Sequence, residues 1–334
     1  MKHIKRFTLL TLLILGSLWS NAQMPWISVI GNKFVDQNGQ TMVFRGFNSS
    51  DPDKLQADGH WNNEYFRKIK EWGGNIVRFP IHPPSWRERG QEAYLKLIDD
   101  GIEMAKNNGL YVILDWHSIG NLRSELFFLP IYETSKKETF DFWRIMADRY
   151  GDESTVAFFE IFNEPTVYNG RLGISSWTDW KNIMEEAITI IRAYGAKNIP
   201  LIAGFNWAYD LSAIRFEPIA ASGVAYVSHP YPQKREKPWE EKWEKDWGFV
   251  ADNYPVILTE IGFCEPGERG AHIPVMDDGQ YVDAIFDYTN KKGISFVVWV
   301  FDPNWSPMLI EDWTYSPTKA GKVWKDAFEK RVKQ

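Results

Sequence analysis

Two stretches of this sequence each close an apolar run on a glutamate. Phe158-Phe159-Glu160-Ile161-Phe162 leads into Asn163-Glu164-Pro165, and Val256-Ile257-Leu258-Thr259 leads into Glu260. Runs of this length and composition read as buried parallel strands. Pro165 cannot donate to a sheet ladder, so the first run ends there and leaves Glu164 at its C-terminal end. In α/β barrels that end of the strand is where catalytic groups sit. A pair of carboxyls converging there suits cleavage of a glycosidic bond. One protonates the leaving oxygen while the other attacks the sugar carbon or activates water.

Other polar and aromatic groups stand at strand ends in the same way: Arg78, His117, Asn163, His229 with Tyr231, and Trp299. Arg78 beside Glu260 would keep that carboxyl ionised, while partial burial and the charge of Glu260 would hold a proton on Glu164. His229, Tyr231 and Asn163 are suited to orienting carboxylates and gripping a sugar 2-hydroxyl, and Trp299 to flooring the site. Trp116, Trp207 and Trp305 follow strand ends and are expected to be sugar-stacking surfaces. Trp61 and Trp86, in loops, divide evenly between subsite walls and core, whereas Trp143 and Trp180 fall on helix faces and belong to the core. Glu160 shares the side-chain parity of Glu164. It reads as a structural carboxylate paired with Arg45, because a buried charge needs a partner. Asp115 reads as a hydrogen-bonding support, and His82 as a loop histidine that either touches substrate or is solvated. The histidines lack the spacing of a metal site, so neither metal nor cofactor is expected.

These groups need a scaffold that delivers them to one rim. Trp26–Ile30 and Lys33–Asp36 flank Gly31-Asn32, Asn38-Gly39 follows, and short β segments joined by Asn-Gly read as an N-terminal hairpin. Strand patterns then recur at 42–47, 75–79, 110–115, 156–162, 200–203, 224–227, 256–259 and 295–300, separated by helical patterns. Ser176 with Asp179 marks a helix start, and a weaker helical pattern covers 210–219. Eight alternating units predict an α/β fold, a closed (β/α)8 TIM barrel with a short N-terminal β-hairpin. A doubly wound sheet would show a glycine-rich turn after its first strand, and none is present.

The chain has 334 residues, 44% hydrophobic and 25% charged, an ordinary globular composition. Lys2, Lys5 and Arg6 precede an apolar run from Phe7 to Trp19 and the small residues up to Ala22, the pattern of a secretory signal. Residues 1–22 are therefore expected to be removed, leaving 23–334 as a single catalytic domain. Cleavage removes three Lys/Arg and no acid, taking the formal charge from −6 to −9. So acidic a chain repels nucleic acid and favours neutral substrates. Cys264 is the only cysteine, so no disulfide framework is expected. The 17 tryptophans fit a protein that offers flat apolar faces to sugar rings.

The ordered motifs Arg45-Gly46-Phe47-Asn48, Val77-Arg78-Phe79-Pro80, Asp115-Trp116-His117, Phe162-Asn163-Glu164-Pro165, His229-Pro230-Tyr231 and Thr259-Glu260-Ile261-Gly262-Phe263 resemble glycoside hydrolase family 5 across the whole mature chain. The resemblance implies Glu164 as acid/base and Glu260 as nucleophile, with Arg78 and Tyr231 on the nucleophile and His229 beside the acid/base. It further implies sugar contacts from His117 and Asn163, stacking by Trp299, and retention of configuration. Retention requires carboxyl groups about 5–5.5 Å apart. The expected function is endo-β-1,4-glucanase activity on cellulosic or mixed-linkage β-glucan. A β-mannanase or xyloglucanase of the same family is the alternative, and a non-catalytic carbohydrate-binding barrel the rival of another class. A β-linked polysaccharide or oligosaccharide is the expected partner. The protein is expected to be a secreted or periplasmic monomer, with no membrane association after signal cleavage.

Overall fold

The computed structural model describes residues 23–332, so the expected signal segment lies outside them. Eight parallel strands close into a barrel: Arg45–Asn48, Ile76–Ile81, Tyr111–Trp116, Val156–Glu160, Ile199–Ala203, Ala225–Val227, Val256–Ile261 and Ser295–Val298. The last pairs back onto the first, with Phe296 opposite Arg45 and Val298 opposite Phe47. Every residue of these eight strands is buried, as expected when helices cover the outer face of a parallel sheet.

Side-chain alternation divides this core into two layers. Phe44, Ile76, Ile113, Phe158, Leu201, Val227, Ile257 and Val297 fill the barrel interior. Phe47, Val77, Leu114, Phe159, Ile202, Tyr226, Leu258 and Phe296 point outward to the helices. The N-terminal segment forms a three-stranded antiparallel sheet, Ile27–Ile30, Lys33–Asp36 and Thr41–Met42. It caps the barrel floor: Phe34 meets Phe158 edge-on at 5.0 Å between centroids and Phe44 at 5.7 Å.

The helices follow their signals. Ser176 and Asp179 form a reciprocal capping box that opens Trp177–Ala193, and Ser135 caps Lys136–Tyr150 through the Glu138 amide. One expectation fails. The segment after the fifth strand forms only a single 3-10 turn, Ser212–Arg215. The Asp210 carboxylate accepts from the Ser212 amide at its start, and Pro218 disfavours helical backbone at Glu217, leaving room for one turn.

Alternation also corrects two side-chain expectations, for Arg45 and Trp116. Arg45 points outward, with its guanidinium over the Phe296 ring and donating to the Ile294 carbonyl. It cannot reach Glu160, which faces the interior. Trp116 shares the outward parity of Leu114, has no exposed surface, and donates from Nε1 to Thr139. It is a core residue and offers no face to sugar. Trp61 and Trp86 are likewise core. Trp61 donates to the Leu97 carbonyl and lies so close to Gly101 that a Cβ there would come within 2.3 Å of its ring.

The barrel floor gives a stability prediction. Phe34→Ala should lower the unfolding free energy by about 3 kcal/mol, the usual scale for emptying a buried aromatic site. It should be read as an earlier denaturation midpoint in urea. An unchanged midpoint would show that the hairpin does not support the barrel.

Candidate active site

The interior residues nearest the C-terminal rim change from apolar to charged. On the second strand Ile76 is followed, two residues on, by Arg78. On the third Ile113 is followed by Asp115, and on the fourth Phe158 by Glu160. Arg78 is fully buried, and its fork is saturated. Nε donates to Glu160 Oε2 at 2.7 Å and Nη2 to Glu160 Oε1 at 3.1 Å. Nη1 donates to Glu260 Oε1 at 3.0 Å and to Asn48 Oδ1 at 2.9 Å. Nη2 also reaches Asn163 Oδ1 at 2.6 Å and Asp115 Oδ2 at 2.9 Å. The partner of Glu160 is thus Arg78.

Glu260 reaches this cluster through an irregularity. Ile257 faces the interior and Leu258 the helices, so strict alternation would send Glu260 outward after Thr259. The register with the eighth strand shifts between Leu258 and Ile261. A bulge of this kind re-aims side chains. Thr259 and Glu260 both project into the barrel, and Ile261 returns to the outer layer.

Glu164 arrives differently. The fourth strand ends at Glu160, and Glu164–Pro165 then pairs in parallel with Ile119–Gly120 of the neighbouring loop. The Glu164 amide donates to the Ser118 carbonyl and the Thr166 amide to that of Gly120, so the ladder skips the N–H that Pro165 lacks. Glu164 Oε1 lies 2.9 Å from His229 Nδ1, and His229 Nε2 lies 2.9 Å from Thr259 Oγ1. Tyr231 Oη donates to Glu260 Oε2 at 3.0 Å. Ligand-type atoms of Glu164, His229 and Glu260 fall within 4.8 Å of one another. Arg78 and Tyr231 already occupy Glu260, so a resident cation supplies its countercharge: the guanidinium.

Burial raises both carboxyls above their ordinary range; at Glu260 the pull of His229 and Arg78 opposes this, while the charges of Glu164 and Glu160 add to it. Glu260 has two hydrogen-bond donors, Arg78 and Tyr231, and both favour its charged form. Glu164 has the ring of His229 and the more distant attraction of Lys234 and Arg78. Burial lowers the His229 imidazole to about 4, against the opposing pull of Glu260 and Glu160, so the ring is neutral near neutral pH. Burial also holds His117 well below its usual range. Asp115 is pushed well above its own range by burial, then by Glu160 and Glu260, which together outweigh the pull of Arg78. The two carboxyls thus differ in their partners: Glu260 accepts from a guanidinium and a phenol, whereas Glu164 meets a neutral imidazole, and a retaining glycosidase needs a difference of this kind.

The pair opens onto a cleft of about 650 Å³. Of the expected residues, His117, Asn163, Tyr231, Trp207 and Trp299 line it with both glutamates. Asn163 Nδ2 is buried without a protein partner. The His117 and Trp299 rings lie parallel at 5.3 Å, and Trp305 continues the row beyond Trp299 at 5.9 Å. His82, buried and held by Asp51 at 2.9 Å, packs against His117 and Trp305, so it is not a solvated loop residue. Trp207 sits in a run with Asn206 and Ala208, all at positive φ from 54° to 62°. Such backbone is costly for residues with a Cβ and concentrates at functional sites. Here it presents the indole to the cleft.

Several wall residues were not legible in the sequence. Phe128, Tyr132, Lys234 and Ile273 line the cleft from loops without periodicity. Lys234 donates to the Asn206 carbonyl and sits over the Trp207 ring. Asn48 is different. It ends the first strand, and two-residue alternation from Phe44 through Gly46 would have pointed it inward, where it links Arg78 to the Thr259 carbonyl.

A polarised carboxyl pair at the mouth of a (β/α)8 barrel defines a glycosidase. The chain matches the family model described as Cellulase (glycosyl hydrolase family 5) over residues 35–305 and belongs to that family. It is 46% identical to a β-glucanase from Saccharophagus degradans whose crystal structure holds cellotetraose. That match has a TM-score of 0.92 and covers 93% of this chain and 95% of the other. An endoglucanase from Paenibacillus polymyxa is 24% identical, over 85% of this chain and 82% of its own length. Endoglucanase A from Butyrivibrio fibrisolvens is 25% identical over 82% of this chain, which spans 59% of that longer protein. Among the described residues no helix is long and apolar enough to cross a membrane.

The neutral buried histidine gives a sign-definite pH dependence. Its folded value of about 4 lies below the ordinary imidazole value of 6.5, so its contribution to stability is present above 6.5 and is lost as pH falls through 4. Relative to His229→Asn, the wild type should lose on the order of 3 kcal/mol of unfolding free energy over that window. Urea titrations at several pH values read it. A constant difference between the two proteins from pH 7 to 4 would contradict the neutral, desolvated ring.

Proposed function

We propose that this protein is a retaining endo-β-1,4-glucanase that hydrolyses cellulosic or mixed-linkage β-glucan by double displacement. Glu164 is assigned as acid/base and Glu260 as nucleophile. The observation that carries this reading is the asymmetry of the pair: carboxyl atoms within 4.8 Å, one held by Arg78 and Tyr231, the other facing a neutral histidine. Carboxyl atoms this close favour the short retaining arrangement of about 5–5.5 Å over the inverting gap of about 6.5–9.5 Å that admits a water.

In the first step Glu260 forms a bond to the anomeric carbon while the glycosidic bond breaks. The proton of Glu164 passes to the departing oxygen. Glu164, now ionised, then takes a proton from a water that attacks the same carbon and releases Glu260. Asn163 Nδ2, unpartnered and buried at the rim, is placed to donate to a sugar hydroxyl, and Trp299 offers its face to the ring. The cellotetraose bound by the S. degradans β-glucanase supports a β-1,4-linked glucan as the substrate class. The N-terminal segment supports export to the periplasm or medium, which fractionation of expressing cells would test.

The function is tested by reducing-sugar release from carboxymethylcellulose and barley β-glucan, with mannan and xyloglucan alongside. The glucans should be cleaved at least tenfold faster. Glu164→Ala should lose more than a hundredfold of that activity yet keep a much larger share on aryl glycosides whose leaving group needs no proton. Equal losses on both substrates would remove Glu164 from the role of acid, and preference for mannan would overturn the glucan assignment.

A further inference from the structure

Thr259 immediately precedes Glu260 and makes no contact with the cleft, yet it is buried and fully engaged by charged and polar groups. Its hydroxyl donates to Glu160 Oε1 at 2.8 Å. A threonine has a single hydroxyl proton. Once that proton is given to Glu160, Oγ1 can only accept from His229 Nε2, 2.9 Å away. The proton of the neutral ring then sits on Nε2, and Nδ1 is a bare acceptor. Glu164 Oε1, 2.9 Å from Nδ1, completes the bond only by donating.

We propose that Thr259 and Glu160 are positioning residues that fix the His229 tautomer and thereby keep the proton on Glu164. This rests on the assignment of Glu164 as the acid. The chain of bonds runs in one direction: Glu164 donates to His229, His229 to Thr259, and Thr259 to Glu160, whose charge is anchored by Nε and Nη2 of Arg78. Glu160 is therefore tied to both members of the pair, to Glu260 through Arg78 and to Glu164 through Thr259 and His229. The bulge at 258–261 is what allows Thr259 and Glu260 to serve neighbouring sites from consecutive positions.

The groups facing Glu164 and His229 come from several elements. Arg78, Asp115 and Glu160 rise from the second, third and fourth strands, with Glu260 from the seventh. His117, Tyr132, Tyr231 and Lys234 come from the loops. None of them hydrogen-bonds His229 Nε2; Glu160 Oε1 lies 3.9 Å from it. Without the Thr259 hydroxyl the ring would gain by moving its proton to Nδ1. It would then donate to an ionised Glu164 and stabilise the wrong protonation state.

Two measurements test this. Nitrogen-15 NMR of histidine-labelled enzyme reads the tautomer without turnover, and should show His229 protonated at Nε2 and bare at Nδ1 at neutral pH. The alkaline limb of kcat/KM reports the acid in the free enzyme. Thr259→Val should switch the tautomer and move that limb down by about one pH unit, the shift expected for the loss of one hydrogen bond. Thr259→Ser, which keeps the hydroxyl, should restore both. A proton on Nδ1 in the wild type overturns the proposal, as does a folded Thr259→Val enzyme with the wild-type tautomer and limb. Failure of the wild type to cleave glucan counts instead against the functional assignment, because the tautomer is measured independently.

Discussion

One buried guanidinium holds this site together. Arg78 has no exposed surface, and around it stand three carboxyl groups, Asp115, Glu160 and Glu260, with Asn48 and Asn163 filling its remaining donors. A charge so far from water persists only when each N–H is paired. Those partners come from four different strands, the fourth giving Glu160 and, just past its end, Asn163, so closing the barrel and pairing the arginine are the same event. The asymmetry between the two glutamates follows. Glu260 shares the arginine's charge, whereas Glu164 is turned toward a neutral imidazole.

The barrel makes this affordable by separating layers. Below the charged layer, Phe34, Phe44 and Phe158 meet edge-on and seal the floor with the N-terminal sheet. Water is thereby excluded from beneath Arg78, and each hydrogen bond above it acts in a medium of low dielectric. The loops carrying Phe128, Trp207, Lys234 and Ile273 shape the cleft around this charged layer.

Much of this was legible in the sequence, because alternation along strands is a strong signal. Arg78, His117, Asn163, Glu164, His229, Tyr231, Glu260 and Trp299 could all be placed at one rim from the position of each strand's end, and the structure gathers them there. The same alternation, applied strictly, would have sent Trp116 outward beside Leu114 and kept Arg45 away from Glu160. At both positions residue type and parity point in opposite directions, and parity prevails. The bulge beside Glu260 is another matter. Strict counting in twos puts Thr259 inside and Glu260 outside, and only pairing with the eighth strand shows that both face inward. The left-handed run that aims Trp207, and the lysine that rests upon it, also depend on loop geometry that no periodicity encodes.

The central claim is that Glu260 bonds covalently to the sugar while Glu164 supplies the proton. The most direct measurement uses a 2-deoxy-2-fluoro cellobioside with a good leaving group, which slows release of a glycosyl-enzyme, followed by intact mass and peptide mapping. The account predicts a mass increase of one fluorinated cellobiosyl unit, localised to Glu260 and absent from Glu260→Gln. An active enzyme that forms no adduct, or one labelled at Glu164, would contradict it.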